Sequence, residues 1–147
     1  MKLEAIDHLC IAVRDLDEAR KRYEEDLGLE LHGIYSSGSE MIRVARYYIG
    51  GMALELIAPT SAESEVARFL EKRGEGFYLI SYRVDDVEAA LGELKAKGVN
   101  TIDQRPRRLM GNRYAFIHSP TELSGVLTEV LDGEFDYDEG ENGQEAD

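Results

Sequence analysis

Two kinds of hydrophobic pattern alternate along this chain: apolar, β-branched runs, and stretches where apolar side chains recur every three or four positions. Ala5 to Arg14 is the first apolar run and predicts a buried strand. Asp15 then offers an N-cap, with Glu18 at the capping-box position. Leu16, Ala19, Tyr23 and Leu27 follow on one helical face, and Gly28 ends the helix. Glu30 to Tyr35 predicts a second strand, Ser36 to Ser39 a turn, and Glu40 to Ile49 a third strand. Gly50-Gly51 turns the chain into a fourth strand over Met52 to Ala58. Pro59-Thr60-Ser61 breaks the pattern, and Glu63 to Arg73 predicts a short helix that buries Val66, Phe69 and Leu70.

The plan then repeats. Phe77 to Val84 predicts a strand, and Asp85 or Asp86 caps a helix with Val87, Leu91 and Leu94 inward, closed by Gly98. Asn100 to Gln104 predicts a strand, Arg105 to Asn112 a loop, Arg113 to His118 a strand, and Gly125 to Leu131 the last strand. Val13 and Val84 lie 71 positions apart, as do His8 and Leu79, and Glu55 and Glu129 match at an offset of 74. A period near 70 residues is too long for a solenoid. It predicts an α+β fold of two βαβββ modules facing one shared cleft. The modules span about residues 4–59 and 76–131, joined by a helical linker at 60–75, in a single domain of residues 1–131.

Composition changes this picture at one end only. The net charge is −13, but Asp132 to Asp147 hold eight acids and no Lys or Arg, so the rest of the chain carries a modest −5. Residues 132–147 therefore predict a disordered acidic tail. Nucleic-acid binding, which needs a basic face, is not expected. No apolar stretch approaches 18 residues, so no membrane span is expected, and the Met1-Lys2-Leu3-Glu4 start carries no signal-peptide pattern. A cytoplasmic protein follows as the expectation. Cys10 sits alone in an apolar strand and reads as a buried, inert thiol.

The chemistry lies in polar residues set into apolar strands. Glu55 is flanked by Leu54, Leu56 and Ile57, and Glu129 lies between Leu127 and Val130. A carboxylate in such a strand either lines a polar cleft or lies on the solvent face of an open sheet. His8 reads equally as a structural histidine or as a ligand. Arg105, Arg107, Arg108 and Arg113 form the one basic cluster of an acidic body. They suit a phosphate or carboxylate as well as they suit a solvated loop. Arg43 and Arg46 differ by three positions, so on a strand they face opposite sides and one enters the cleft.

Taken in order, Asp7-His8, the Asp15-Leu16 helix start, Leu27-Gly28, Glu55 to Pro59, Phe69 to Gly76, Arg83 to Asp86, Phe116-Ile117-His118 and Gly125 to Glu129 resemble the vicinal oxygen chelate superfamily (glyoxalase, bleomycin resistance, dioxygenase). Among its members the chain is most similar to methylmalonyl-CoA epimerases, over roughly Ile6 to Leu131. The resemblance implies α-proton transfer on an acyl-CoA or related carbonyl substrate, and a homodimer. It implies a divalent metal (Co, Mn, Zn or Ni) on His8, Glu55 and Glu129, with Glu129 and Glu55 as catalytic carboxylates. Leu79 stands where those epimerases carry the fourth ligand, a histidine. The resemblance also points to Arg107, Arg113 and His118 as substrate contacts, to Glu40 as a candidate second base, and to His118 equally as a turn cap. Without a metal, two close carboxylates raise each other's pKa, and one serves as base while the other serves as acid. A metal-free ligand-binding or resistance-type protein is the competing expectation, and a glyoxalase-like lyase a variant of the first.

Overall fold

The computed structural model describes residues 1–118, 122–136 and 144–145. Its first module holds β1 (Ala5–Ala12), α1 (Leu16–Lys21), β2 (Leu31–Ser37), β3 (Ile42–Ile49) and β4 (Met52–Pro59). After α2 (Glu65–Arg73), the second holds β5 (Gly76–Arg83), α3 (Val87–Ala96), β6 (Arg107–Leu109), β7 (Asn112–Ile117) and β8 (Thr128–Gly133). Together with the short β9 (Gln144–Glu145), these strands form one sheet in the order β6-β7-β8-β5-β1-β4-β3-β2-β9.

Pairing makes the internal repeat explicit. β1 runs parallel to β4 with Cys10 opposite Glu55, and β5 runs parallel to β8 with Ser81 opposite Glu129. The two modules meet where β1 and β5 pair antiparallel, with Cys10 opposite Leu79. Period-two alternation then decides what faces what. Leu56, Ala58, Ala45 and Tyr47 pack outward under α1 with Val13 and Leu16, and Val84, Ala115 and Val130 pack outward under α3 with Val87, Ala90 and Leu91. The opposite phase points into the cleft, where Cys10, Val44, Ile57, Leu79, Tyr114, Phe116 and Leu131 meet Val66 and Leu70 of α2. Helix starts follow the capping reading: Asp15 accepts from the Glu18 amide at 3.0 Å, and Asp86 from the Ala89 amide at 3.1 Å. No helix among the described residues is long and apolar enough to cross a membrane.

Three expectations differ from the structure. The strand expected over Asn100 to Gln104 reduces to a single bridge between Thr101 and Ile117, and β6 forms inside the segment read as a loop. Pro106 has no amide hydrogen to give a ladder, so pairing begins only after it. Before it, Asp103 accepts from the Phe116 amide and from Arg107 in place of a strand. Leu27, placed on the buried helix face, is exposed, because α1 passes into a π-helical turn over Arg22–Asp26 that shifts the phase.

The third difference is at the acidic end. β8 continues through Asp132 and Gly133, past the edge expected at residue 131. Asp132 is buried, accepting from the Val87 amide at 2.7 Å and from Arg113 at 2.6 Å. Phe135 packs edge-on against Tyr35, with ring centroids 5.2 Å apart. Residues 137–143 and 146–147 of the expected tail lie outside the described residues.

The Glu134–Asp136 segment is held over Gly111, whose φ of +82° and contacts leave no room for a side chain: a Cβ there meets the Glu134 carbonyl oxygen at 2.5 Å. Gly111→Ala is therefore expected to destabilise the protein by about 1–3 kcal/mol, read as a lower urea midpoint at unchanged m. An unchanged midpoint would mean that this segment yields freely.

Candidate functional site

The concave face of the sheet encloses a cavity of about 910 Å³, open on one side and bounded there by α2. That volume is in the range of small-molecule and cofactor sites. Its wall carries His8 from β1, Glu55 from β4 and Glu129 from β8, each 6 % exposed or less. The register explains the convergence. Glu55 and Glu129 hold equivalent places in the two parallel strand pairs, and the β1–β5 junction brings those pairs side by side. His8 Nε2 lies 3.4 Å from Glu55 Oε1 and 3.6 Å from Glu129 Oε1.

Each member of this triad has a further partner. His8 Nδ1 is 2.8 Å from Asp7 Oδ2. Tyr35 Oη donates to Glu55, 2.9 and 3.0 Å from its two oxygens, and burial pushes that phenol's pKa well up, so it stays a donor. Ser81 Oγ donates to Glu129 Oε1 at 2.6 Å. Arg46 Nη1 donates to Glu55 Oε2 at 2.6 Å and Nη2 to Asp7 Oδ2 at 3.1 Å. Arg46 Nε donates to Tyr48 Oη at 3.1 Å, and the guanidinium lies 4.5 Å from the centre of the Phe135 ring.

These contacts set the charge states. Burial pulls the His8 imidazole down. The carboxylate of Glu55, the hydrogen bond from Asp7 and the carboxylate of Glu129 outweigh it, and the pKa rises to about 9. Burial raises Glu129, and the nearby Glu55 and Glu40 add to it against His8 and Ser81, giving about 7. Burial also opposes the charge of Asp7, but His8, Arg46 and Arg83 hold that carboxyl well below its ordinary range.

Both raised groups bind more protons in the folded state. Their stabilisation is full below the unfolded values and is lost as pH rises, from 4.5 to about 7 for Glu129 and from 6.5 to about 9 for His8. Because the two touch, they titrate as a pair. Asp7 acts the other way, with stability lost only as pH falls through its depressed value. The melting temperature is therefore expected to be highest near pH 5 and to fall steadily toward pH 9. His8→Gln should remove the upper part of that decline, and a profile identical to wild type would refute the assignment.

Arg107 and Glu40 also line the cavity. Arg107 pairs with Asp103 at 2.8 Å and Glu40 at 3.2 Å, and its guanidinium stacks 4.9 Å from the Phe116 ring. Tyr114 Oη donates to Glu40.

Of the three expected substrate contacts, only Arg107 lines the cavity. Arg113 alternates with the inward Tyr114 and faces the helix side, paired with Asp132 and Asp86. His118 is exposed at the end of β7, outside the cavity lining. Tyr35, Ser81 and Asp7 were not singled out from the sequence. For Tyr35 and Ser81 the signal lay in being polar on the inward phase of apolar strands, whereas Asp7 sits on the other phase beside His8 and meets Arg46 and Arg83. Arg46, one of two arginines weighed for the cleft, is the one that turns inward, while Arg43 pairs with Asp17 at 3.2 Å.

The donor set was tested for the divalent metal that the resemblance implies. His8, Glu55 and Glu129 come together as expected, but the donor atoms of Glu55 are committed. Both oxygens of Glu55 accept from Tyr35, and Oε2 accepts from Arg46 as well. Leu79, 4 % exposed, lines the wall with an alkyl chain where the fourth ligand is expected. Among the described residues no group of three or more His, Cys, Asp or Glu is spaced to hold an ion. The residues present do not fit a divalent cation.

Comparison with known proteins places this geometry among relatives. The family model described as the Glyoxalase/Bleomycin resistance protein/Dioxygenase superfamily matches residues 7–116. The protein YqjC of Bacillus subtilis is 37 % identical over 131 residues, 88 % of this chain and 93 % of its own length. An ethylmalonyl-CoA/methylmalonyl-CoA epimerase of Cereibacter sphaeroides is 30 % identical over 128 residues, 85 % of this chain and 95 % of its own. A solved structure of a Streptomyces coelicolor methylmalonyl-CoA epimerase variant, in complex with 2-nitronate-propionyl-CoA, superposes with a TM-score of 0.84 at 35 % identity, covering 88 % of this chain and 94 % of that one.

Proposed function

Because the chain belongs to the Glyoxalase/Bleomycin resistance protein/Dioxygenase superfamily, we propose that it is an epimerase-like enzyme moving the proton α to the thioester carbonyl of an acyl-CoA, with methylmalonyl-CoA or ethylmalonyl-CoA as first candidates. The observation that carries this reading is a carboxylate, Glu129, buried in a cavity wall with its pKa raised to about 7. Buried groups tuned to neutrality mark sites of proton transfer.

In this reading the Glu129 carboxylate takes the proton from the α carbon. The C–H bond breaks, and its electron pair passes into an enolate whose oxygen carries the developing charge. The Nε2–H of protonated His8 donates to that oxygen, a preorganised donor in a site shielded from water. A solvent proton relayed through Glu40, which also lines the cavity, is delivered to the opposite face while Glu129 releases its own proton to solvent, so the configuration inverts with no net change in composition. Arg107 suits the free carboxylate of a malonyl thioester. The resemblance also implies a homodimer, which sedimentation of the purified chain tests.

The deciding experiment is incubation of the protein with (2R)- and (2S)-methylmalonyl-CoA in deuterium oxide, followed by mass and chiral analysis. Deuterium uptake at the α carbon with inversion is the expected result. Tight acyl-CoA binding without exchange would replace this reading with the binding-protein one. Neither binding nor exchange would overturn both.

A further inference from the structure

The register around Arg46 carries more than the triad does. Arg46 on β3 lies directly opposite Glu55 on β4, and the equivalent pair in the second module is Phe116 opposite Glu129. The fold accepts an apolar side chain at this place, so it does not by itself require a cation there. Yet Arg46 is 2 % exposed, between two acids, and its guanidinium is covered by Phe135 and Tyr48, whose ring centre lies 5.0 Å away. Burying a guanidinium is costly unless it is paired and hydrogen-bonded throughout. Here every side-chain nitrogen has a partner: Nη1 with Glu55, Nη2 with Asp7 and Nε with Tyr48.

The second module lacks an element of metal binding on β5. Leu79 is the repeat mate of His8, and it places alkyl bulk where an imidazole would complete a ligand set. An ion in the triad would compete with Arg46 for Glu55 Oε2 and add positive charge beside a guanidinium that cannot leave. One change removes a ligand and the other supplies a built-in cation beside the carboxylate that remains.

We infer that this is a metal-independent variant of the site, in which Arg46 is a positioning residue that supplies fixed positive charge behind Glu55 and keeps that carboxylate directed at His8. The inference rests on the proton-transfer reading only for why charge is needed there. The pairing and the Leu79 substitution stand without it.

The test is a cobalt(II) titration followed by visible absorption, on protein freed of metal by chelation and dialysis. It needs no substrate, so its failure is separate from failure of the epimerase reading. Wild type is expected to bind no stoichiometric cobalt. Leu79→His is also expected not to bind, because Arg46 still holds Glu55. The pair Arg46→Met with Leu79→His is expected to gain one equivalent, with the ligand-field bands of a nitrogen- and oxygen-bound ion. Arg46→Lys, which keeps the charge without the fork, should retain more α-proton exchange than Arg46→Met. Stoichiometric cobalt in wild type that is lost in Glu55→Gln would overturn the inference, as would tight binding by Leu79→His alone. A double variant that is folded by circular dichroism and binds nothing would also overturn it. Equal exchange by the Lys and Met variants would remove the role of the charge.

Discussion

Glu129→Gln is expected to lower α-proton exchange by about 10²–10⁴-fold while leaving the protein folded and acyl-CoA binding nearly intact. The substitution keeps size and an acceptor for Ser81 Oγ, which donates to this side chain at 2.6 Å. What it removes is the capacity to take a proton. The wild-type pH profile supplies the second half of the test. With Glu129 raised to about 7, kcat/KM should fall as pH drops below 7 and the base becomes protonated. With His8 raised to about 9, activity should fall again above pH 9 as the donor to the enolate is lost. The expected profile is a bell with limbs near those values, belonging to the pair. If Glu129→Gln keeps the acid limb and most of the rate, the first proton goes elsewhere and Glu40 becomes the base to examine. The same variant should also flatten the loss of stability between pH 4.5 and 7, because the group whose proton uptake favours the folded state is gone.

The repeat was legible because each module spells it with the same few signals: an apolar run, an acidic cap, a glycine stop and a strand carrying one glutamate. The caps at Asp15 and Asp86 and the equivalence of Glu55 and Glu129 are local facts, and the structure keeps them. What escaped depends on contacts distant in sequence. β6 follows a proline and pairs only because β7 is beside it. Asp132 and Phe135 sit among acids that make residues 132–147 look uniformly solvated, yet one caps α3 and the other covers Arg46. The resemblance pointed to Arg113 and His118, but period two on β7 gives the cleft to Asn112, Tyr114 and Phe116 and turns Arg113 away, while His118 shares their phase but lies past the end of the strand. Leu79 was visible as a missing ligand from the start. Its counterpart, Arg46, emerged only when register set it against Glu55.

Arg46→Met is expected to destabilise the folded protein by about 3–5 kcal/mol, the range for breaking a buried ion pair from one side. The side chains of Arg46 and Glu55 are 3 % and 4 % exposed, so neither water nor salt replaces the lost partner. Asp7 keeps a second cation in Arg83, 2.9 Å away, and Glu55 keeps only Tyr35 and the imidazole. The penalty therefore falls mainly on Glu55, and this makes it separable. Adding Glu55→Gln removes the stranded charge while leaving an acceptor for Tyr35. The double variant should regain most of the loss, with a coupling energy of about 1–3 kcal/mol in a double-mutant cycle of urea midpoints. If the single and double variants are equally unstable, the loss comes from packing against Tyr48 and Phe135, since a guanidinium stem also fills space. If Arg46→Met costs less than about 1 kcal/mol, the pair behaves like a surface ion pair. In that case water reaches Glu55, and the site is more open than its burial indicates.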